Sequence, residues 1–288
     1  MPRSRVWLLF AFVTTLFWGV WGALIEIPEK AGFPATLGYS VWAFTMIPCA
    51  LAALKVGGWR LDWDRRSVSL GCTVGFLGAG GQLLLFEALR SGPAYLVFPV
   101  ISLYPVLTVI LSVSLLKETA SRRAWTGIVF AFIALPLLSY QPGNGGGGSS
   151  PVWLALAAMV FAAWGVQAFV MKFAHRTMRA ESIFFYMALC SVLLIPLALA
   201  MTDFSKPINW GFRGPYLAAM IQVLNSMGAM MLVYALRYGK AIIVIPMTAL
   251  APVLTIILSL TLYGVVPHGV TVSGIVLATV AIYLMSEG

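Results

Sequence analysis

The chain has 288 residues, of which 61% are hydrophobic and only 9% are charged, and its formal net charge is +9. A water-soluble domain carries about 25% charged residues, so this composition excludes an ordinary soluble protein and indicates a chain that lies mostly in lipid. Lys and Arg lie in short segments between apolar runs, which favours a membrane protein over a nucleic-acid-binding one. The three cysteines follow no metal or disulfide spacing and are predicted to be small core residues.

Ten apolar segments are each long enough, at about 20 residues, to cross a membrane as a helix. The first follows Arg3 and Arg5 and ends without a small-residue cleavage site, so it is predicted to be a span rather than a signal peptide. The fold class is therefore predicted to be an all-α integral membrane protein with ten transmembrane helices. The segments lie at about 6–27, 36–54, 68–89, 94–116, 123–140, 152–171, 182–201, 215–236, 241–262 and 269–285.

The chain repeats itself at an offset of 147 residues. Residues 86–112 and 233–259 are identical at 15 of 27 positions without a gap, and Trp18-Gly19-Val20 recurs as Trp164-Gly165-Val166. These matches predict a first repeat at 1–140, an uncharged Gly/Ser-rich linker at 141–151 and a second repeat at 152–288. Because each repeat has five spans, the second repeat must enter the membrane from the opposite face.

The orientation follows from the positions of Lys and Arg. With the N-terminus in the cytoplasm, fourteen of these residues fall in cytoplasmic loops, and four fall in outer loops: Lys30, Arg90, Lys206 and Arg213. The positive-inside rule therefore predicts that both termini are cytoplasmic, in a bacterial-type inner membrane. The predicted architecture is an inverted-topology 5+5 bundle, which is typical of secondary transporters.

These features resemble the drug/metabolite transporter superfamily, EamA type, over the whole chain. The resemblance rests on the two Ala-Leu-Arg…Pro…Pro segments, on the Trp-Gly pair near the start of each half, and on Glu118 after span four. It implies alternating-access transport of small organic molecules, often the export of amino acids or other metabolites. Val265 stands at the position equivalent to Glu118, which indicates that this glutamate affects one face rather than the mechanism that the repeats share.

Four prolines recur in register within spans four and nine: Pro99, Pro105, Pro246 and Pro252. Each proline lacks an N–H and frees the carbonyl four residues earlier, which for Pro252 is that of Thr248. In lipid a free carbonyl requires protein, water or a ligand beside it, so these positions are predicted to be hinges next to a substrate cavity. The alternative interpretation is that proline is simply common in membrane helices.

Polar residues inside the predicted bundle lie mostly on two equivalent helices. Gln222 and Asn225 share one face of span eight, whereas the matching face of span three presents Gly75, Gly78 and Gln82, where the glycines are predicted to leave space for a solute. Buried amides suit a neutral or zwitterionic solute, although bonding between helices is the alternative. The predicted substrate-binding residues are Gln222, Asn225, Gln82, Trp21, Gln167, Tyr104 and Trp164.

Three charged residues are candidates for coupling to protons or another ion, or for gating: Glu26, Lys172 and Glu87. Glu26 and Lys172 are equivalent in spans one and six, and the inverted repeat predicts that they lie toward opposite faces. The alternatives are that Glu26 and Lys172 snorkel to their own interfaces and that Glu87 forms a local ion pair with Arg90, three residues later.

Enzyme chemistry has little support in the sequence. His175 and His268 are isolated from any metal-ligand spacing, and no catalytic residue, metal or cofactor is predicted. We predict a secondary transporter that moves a small polar or amphipathic organic metabolite across the inner membrane, with export as the expected direction. The alternatives are a membrane-embedded enzyme and a non-transporting partner or scaffold subunit; a scaffold would not need Gln222 and Asn225 inside the bundle. No oligomeric state is predicted.

Overall fold

A computed structural model describes residues 6–91, 94–138, 152–263 and 268–286, and these residues form helices and connecting turns without strands. The predicted linker at 141–151 lies outside the described residues, as does Val265. The helices are α1 (Val6–Leu24), α2 (Glu26–Lys30), α3 (Ala35–Val56), α4 (Arg65–Ser91), α5 (Ala94–Ser102), α6 (Tyr104–Leu111), α7 (Arg122–Leu138), α8 (Val152–Ala174), α9 (Ala180–Leu193), α10 (Ile195–Ala200), α11 (Leu217–Tyr238), α12 (Ala241–Thr248), α13 (Pro252–Tyr263) and α14 (Gly269–Ser286), with π-helical turns at Ser112–Leu116 and Phe212–Tyr216.

Eight helical segments in the described part of the chain are long and apolar enough to cross a membrane. They correspond to eight of the ten predicted spans. Predicted span four contains a shorter apolar segment, Val100–Leu116, and predicted span five is α7, which has 17 residues. The prediction of an all-helical membrane protein is therefore confirmed for the residues described.

Prolines interrupt several of the spanning segments. The break between α5 and α6 lies just before Pro105, and the break between α12 and α13 lies just before Pro252, so the two repeats bend at equivalent positions. Two further breaks, before α2 and before α10, were not predicted. They accompany Pro28 and Pro196, whose missing N–H groups cannot continue the helical hydrogen-bond pattern.

The first helix of each repeat packs into the other half of the molecule. Helix α1 packs against α11 and α13, and helix α8 packs against α4 and α6. The last helices of the repeats, α7 and α14, pack against each other at Gly127 and Gly274, where a Cβ atom would approach the partner's backbone to about 3 Å. Small residues allow such close helix packing in lipid, where water does not drive helices together.

Helices α1 and α8, which are equivalent in the two repeats, run in opposite directions. Gly239 contacts Trp7 near the start of α1, and its carbonyl accepts a hydrogen bond from Lys172 near the end of α8. The start of α1 and the end of α8 therefore lie at the same end of the bundle. We call this end, which also carries Arg237 and Lys240, the basic end.

Candidate functional site

A cavity of about 920 Å³ lies between the two halves, within the size range of small-molecule sites. Its walls come from helices of both repeats, including α1, α3, α4, α8 and α11. All seven residues that the sequence predicts for substrate binding line it: Trp21, Gln82, Tyr104, Trp164, Gln167, Gln222 and Asn225. The structure thus brings together residues that lie up to 204 positions apart in the chain.

The cavity reaches solvent at the end opposite the basic end. Its mouth is lined by Glu26 and Lys30 of α2 and by Pro34, which precedes α3. The Glu26 carboxylate and the Lys30 ammonium group lie 2.5 Å apart, and their side chains are 59% and 70% exposed. Toward the basic end, the lining on α8 stops at Met171. We call the end with the mouth the open end.

Contacts between the halves close the basic end. Lys172 Nζ of the second half lies 3.9 Å from Glu118 Oε1 of the first half, and within its own half it donates hydrogen bonds to the carbonyl oxygens of Leu236, at 2.8 Å, and Gly239. The other oxygen of Glu118 accepts the N–H of Ile242 at 3.1 Å, at the start of α12. Glu118 of the first half therefore binds a helix N-terminus of the second half, where the helix dipole favours a negative charge.

Two further groups of contacts hold the halves together at the basic end. Asp62 of the first half accepts the N–H of Arg179 at 2.7 Å, and its own N–H donates to Ser182 Oγ at 2.9 Å. Beside the contact of Glu118 with Ile242, Lys240 Nζ donates to the carbonyl oxygen of Thr119 at 2.6 Å. These hydrogen bonds join the two halves at the basic end.

A second, smaller cavity of about 170 Å³ lies within the closed basic end, beside Glu118, Lys172 and His175. Burial raises the pKa of Glu118, while the Ile242 N–H and the Lys172 charge oppose that rise. Burial also lowers the pKa of His175 to about 3, so its imidazole is neutral at physiological pH. Its Nε2 atom lies 2.9 Å from the carbonyl oxygen of Val233, which it contacts as the donor.

One wall of the main cavity is the contact between α1 and α11, which we call the α1/α11 seam. Trp18 lies against Gly228, where a Cβ atom would come within 2.6 Å of the indole ring. The indole N–H donates to the carbonyl oxygen of Asn225 at 3.4 Å. Next to it, Thr255 Oγ1 of α13 donates to the carbonyl oxygen of Gly19 at 2.9 Å.

The opposite wall, the α4/α8 seam, repeats this arrangement with the equivalent residues. Trp164 lies against Gly81, where a Cβ atom would come within 2.5 Å of the indole nitrogen. The indole N–H donates to the carbonyl oxygen of Gly78 at 3.3 Å. Thr108 Oγ1 of α6 donates to the carbonyl oxygen of Gly165 at 2.9 Å. The repeated Trp-Gly pairs, Trp18-Gly19 and Trp164-Gly165, are therefore points at which each repeat packs against the other.

The two seams differ in their amides. On the α1/α11 seam, Gln222 is 5% exposed, and both the oxygen and the nitrogen of its amide form hydrogen bonds. Its oxygen accepts the indole N–H of Trp21 at 3.0 Å and the amide N–H of Asn225 at 3.4 Å, and its nitrogen donates to the carbonyl oxygen of Gly38 at 3.2 Å. Gln222 thereby ties α11 to α1 and α3.

On the α4/α8 seam the amides form no hydrogen bonds within the part of the chain that the structure describes. Among the described residues, the side chains of Gln82 and Gln167 have no hydrogen-bond partner in the protein, and both line the cavity. Gln167 occupies the position equivalent to Trp21, and Gly75 occupies the position equivalent to Gln222. The first seam therefore has Trp21 bonded to Gln222, whereas the second has Gln167 opposite a glycine that has no side chain to bond. The amide of Gln167 is left with an unused donor and an unused acceptor on this wall.

The prediction that the α4 glycines leave empty space for a solute was wrong in part. Gly78 and Gly75 do line the cavity, but a Cβ atom at Gly78 would clash with the Gln167 amide, and one at Gly75 would lie 2.7 Å from Cys190 Cβ. These glycines admit side chains of α8 and α9. The sequence does not show which helices face α4, so it could not distinguish space for a ligand from space for a neighbour.

The four predicted hinge prolines are placed differently. Pro252 lines the cavity, whereas Pro105 and Pro246 are buried away from its lining. The side chain of Pro99 lies outside the described part of the chain. Pro105 and Pro252 lie at helix breaks, and Pro246 lies within α12.

The carbonyl of Thr248, which was predicted to be free, has a partner. It accepts the N–H of Ala251 at 3.2 Å, and the N–H of Val253 in turn donates to Leu250 at 3.0 Å. Tight turns with hydrogen bonds between residues three apart close the break before Pro252. The prediction failed because it counted only the bond that proline removes and not the turn that replaces it.

The three candidates for coupling or gating do not come together. Glu26 lies at the open end and Lys172 at the basic end, as the inverted repeat predicts. Lys172 does not snorkel, because its side chain is only 20% exposed and bonds to carbonyl oxygens. Glu87 forms an exposed ion pair with Arg90 at 3.2 Å, outside the cavity lining.

Two aromatic residues of the cavity, Tyr39 and Trp42, were not predicted from the sequence. Both lie on α3, with their rings edge to face at 5.4 Å, and the Tyr39 hydroxyl donates to the carbonyl oxygen of Ser191 at 3.1 Å. The indole nitrogen of Trp42 is buried without a partner among the described residues. They lie outside the repeated motifs, and the available signal was the single helical face that they share with Met46.

Comparisons with known proteins agree with this architecture. An uncharacterized protein of Methanocaldococcus jannaschii is 46% identical over 59 residues, which make up 20% of this chain and 43% of that relative, so the match spans less than half of the relative's length. A protein crystal structure with 20% sequence identity has a TM-score of 0.76 and covers 96% of this chain and 94% of that one, which shows a shared fold. A model described as the EamA-like transporter family matches residues 5–140 and 150–287. Because this model matches both halves, the chain belongs to the EamA-like transporter family, a family of membrane transporters within the drug/metabolite transporter superfamily.

Proposed function

We propose that the protein is a secondary transporter that moves a small polar or amphipathic organic solute across the cytoplasmic membrane by alternating access, with export as its direction. The observation that carries this proposal is the cavity of about 920 Å³ between the halves. It reaches solvent at the open end, and contacts between the halves close it at the basic end: Glu118 accepts the N–H of Ile242 and lies beside Lys172, and Lys240 donates to the carbonyl oxygen of Thr119. A central site that is accessible from one side only is one of the two states that alternating access requires.

In the proposed membrane placement the chain crosses ten times as a 5+5 inverted repeat, with both termini and the basic end in the cytoplasm. The opposite directions of α1 and α8 support the inversion. The excess of Lys and Arg in loops at the basic end supports the orientation. In this placement the cavity faces outward and the closed end faces the cytoplasm.

The symmetry of the seams supports a way for the protein to change between the state that is open at one end and the state that is open at the other. Trp18 and Trp164 make the same contact on opposite sides of the cavity, so either side can serve as a pivot while the other moves. The equivalent breaks before Pro105 and Pro252 lie beside these seams and are our proposed hinges. Lys172 is the proposed gating residue of the basic end, and Glu26 is the proposed gating residue of the mouth.

The function can be tested by flux through purified protein in liposomes. We would use the Asn225→Cys variant in a background without the three native cysteines, and measure the uptake of a labelled panel of neutral, zwitterionic and charged metabolites. Asn225 lines the cavity, so a bulky thiol reagent attached there is expected to stop the flux of any solute that uses it.

The matched control is Ser205→Cys. Ser205 is exposed in the loop that contacts Gly32 at the open end through Asn209, so the same reagent can reach it from the same side without entering the cavity. Flux that survives labelling of Asn225→Cys, or a purified protein that carries none of the solutes, would overturn the proposed transport through this cavity.

A further inference from the structure

The interior of the main cavity carries no formal charge among the described residues. The charged residues of the lining are Glu26, Glu29 and Lys30, and all three belong to α2 at the mouth. Deeper in the cavity the lining is formed by aromatic, aliphatic, amide and hydroxyl side chains. A charged solute would lose its hydration there without gaining a counter-ion, which costs several kcal/mol for an ionised group.

Most polar groups of the cavity already have a partner. The indole N–H groups of Trp18, Trp21 and Trp164 donate to Asn225, Gln222 and Gly78, respectively. These bonds fix the indole rings and leave their apolar surfaces to a ligand. Engaged groups gain little from a solute, because binding it would replace one hydrogen bond with another.

Backbone groups at the helix break are engaged as well. At the start of α13 the N–H of Val253 donates to Leu250, and the N–H of Leu254 donates to Ala251, at 3.0 Å each. A broken helix commonly offers such N–H groups to a carboxylate. Here the tight turns use them, so this break supplies no anion site to compensate for the missing charges.

Four polar side chains of the cavity have no partner among the described residues: the Trp42 indole, whose nitrogen is buried in α3, and the side chains of Gln82, Gln167 and Tyr104. Gln82, Gln167 and Tyr104 belong to α4, α8 and α6, which meet at the α4/α8 seam. The Tyr104 ring stands edge to face against Trp164, with 5.9 Å between ring centroids, so the free hydroxyl is close to an aromatic surface. Three of these four unused polar groups therefore lie together on one wall of the cavity.

We propose that Gln82, Gln167 and Tyr104 form a polar subsite for an uncharged, flat organic solute that both donates and accepts hydrogen bonds. The inference rests on the proposed transport function and narrows its substrate class. Two amides and a phenol can each donate and accept, which matches a carboxamide or lactam group on a ring. The aromatic residues of the seam cover the ring of the solute. Zwitterions, like singly charged ions, are expected to bind poorly, because each of their charges would lie unpaired in the cavity.

The experiment measures binding to the purified full-length protein by tryptophan fluorescence, without requiring transport. Three probes share one ring and differ in charge: nicotinamide is neutral, nicotinate is an anion and 1-methylnicotinamide is a cation. Neutral nicotinamide is expected to bind at least about tenfold more tightly than either charged probe. Phenylalanine, a zwitterion with a flat ring, is expected to bind as weakly as the charged probes.

Variants locate the subsite. Gln82→Met and Gln167→Met remove the amide while keeping the side-chain length, and each is expected to weaken nicotinamide binding roughly three- to tenfold. Thr73→Ala, on the exposed face of α4, is the control and is expected to bind like the parent. Gln167→Glu introduces a negative charge and is expected to reverse the preference toward 1-methylnicotinamide.

The outcomes separate this inference from the proposed function. Selective nicotinamide binding that depends on Gln82 and Gln167 supports the subsite, even if the same protein shows no flux in liposomes. The inference is overturned if a charged probe or phenylalanine binds as tightly as nicotinamide, if no probe binds, or if both Met variants bind like the parent. Flux of a charged solute that both Met variants leave unchanged would retain the transporter and reject the subsite.

Discussion

The α1/α11 seam and the α4/α8 seam are the same contact built twice, and they differ in what they leave unused. In both, a tryptophan lies on a glycine and a threonine hydroxyl donates to the backbone of the opposite helix. In the first seam Gln222 engages Trp21 and α3, whereas in the second Gln167 faces Gly78 and bonds to nothing in the described protein. The internal sequence repeat accounts for the shared contact, and the different residues at two equivalent pairs of positions account for the hydrogen-bonded amides of one wall and the unpaired amides of the other.

The largest expected effect comes from the contact that the seams share. Gly81→Leu and Gly228→Leu each place a side chain where Trp164 or Trp18 lies, and we expect each to lower the free energy of unfolding by about 3 kcal/mol. Gly80→Leu is the matched control, because a Cβ atom at Gly80 meets nothing within 4 Å. Denaturant titration in detergent micelles measures all three; equal stability of the Gly80 and Gly81 variants would show that the tryptophan contacts are not tight.

The next effect separates the seams. Gln222→Met removes the partner of Trp21 and of the Gly38 carbonyl, so we expect a loss of about 2 kcal/mol of stability. Gln167→Met removes no hydrogen bond and is expected to leave stability within about 0.5 kcal/mol of the parent. The same denaturant titration compares them. If the two variants lose the same free energy of unfolding, the hydrogen bonds of Gln222 do not stabilise the first seam more than Gln167 stabilises the second.

A smaller effect tests whether the seams remain equivalent where their residues are the same. Thr108→Val and Thr255→Val keep the side-chain shape and each remove one hydrogen bond to a backbone carbonyl. We expect each to lose about 0.6 kcal/mol, the average for such bonds between membrane helices. A loss confined to one of the two variants would contradict the proposed structural equivalence of the repeats.

The smallest effect concerns the closed basic end, where the symmetry fails because Glu118 has Val265 as its counterpart. Burial raises the folded-state pKa of Glu118 above its ordinary value of about 4.5. Its contribution to stability is therefore fully present below that value and is lost as pH rises through the folded-state pKa. Glu118→Gln cannot titrate, so its unfolding free energy is expected to rise relative to the parent between pH 4 and pH 8. Parallel pH profiles would show that Glu118 keeps its ordinary pKa.

The sequence predicted the architecture because the signals for it are local or repeated. Apolar segments of about 20 residues identify membrane helices one at a time. The recurrence of Trp18-Gly19 as Trp164-Gly165 predicted two related halves, and the structure shows these residues in equivalent contacts. The helix breaks at Pro105 and Pro252 followed from the missing N–H of proline.

The interior of the site was less accessible to prediction, because it depends on which helices meet. All seven predicted residues line the cavity, yet Gln222 is engaged and Gln167 is free, and nothing in the composition of either helix distinguishes them. The difference arises from long-range partners: Gln222 meets Trp21 at a separation of 201 residues. The contact between Lys172 and Glu118 was missed for the same reason, since each residue was interpreted within its own segment.

The central claim is that one cavity between the halves is reached alternately from the two ends of the bundle. It is tested most directly by labelling Asn225→Cys with a membrane-impermeant thiol reagent, applied separately to each face of vesicles of known orientation. We expect labelling from both faces, faster from the open end, while Ser205→Cys is labelled from the open-end face alone. Labelling of Asn225→Cys from the open-end face only, under every condition that supports flux, would contradict alternating access.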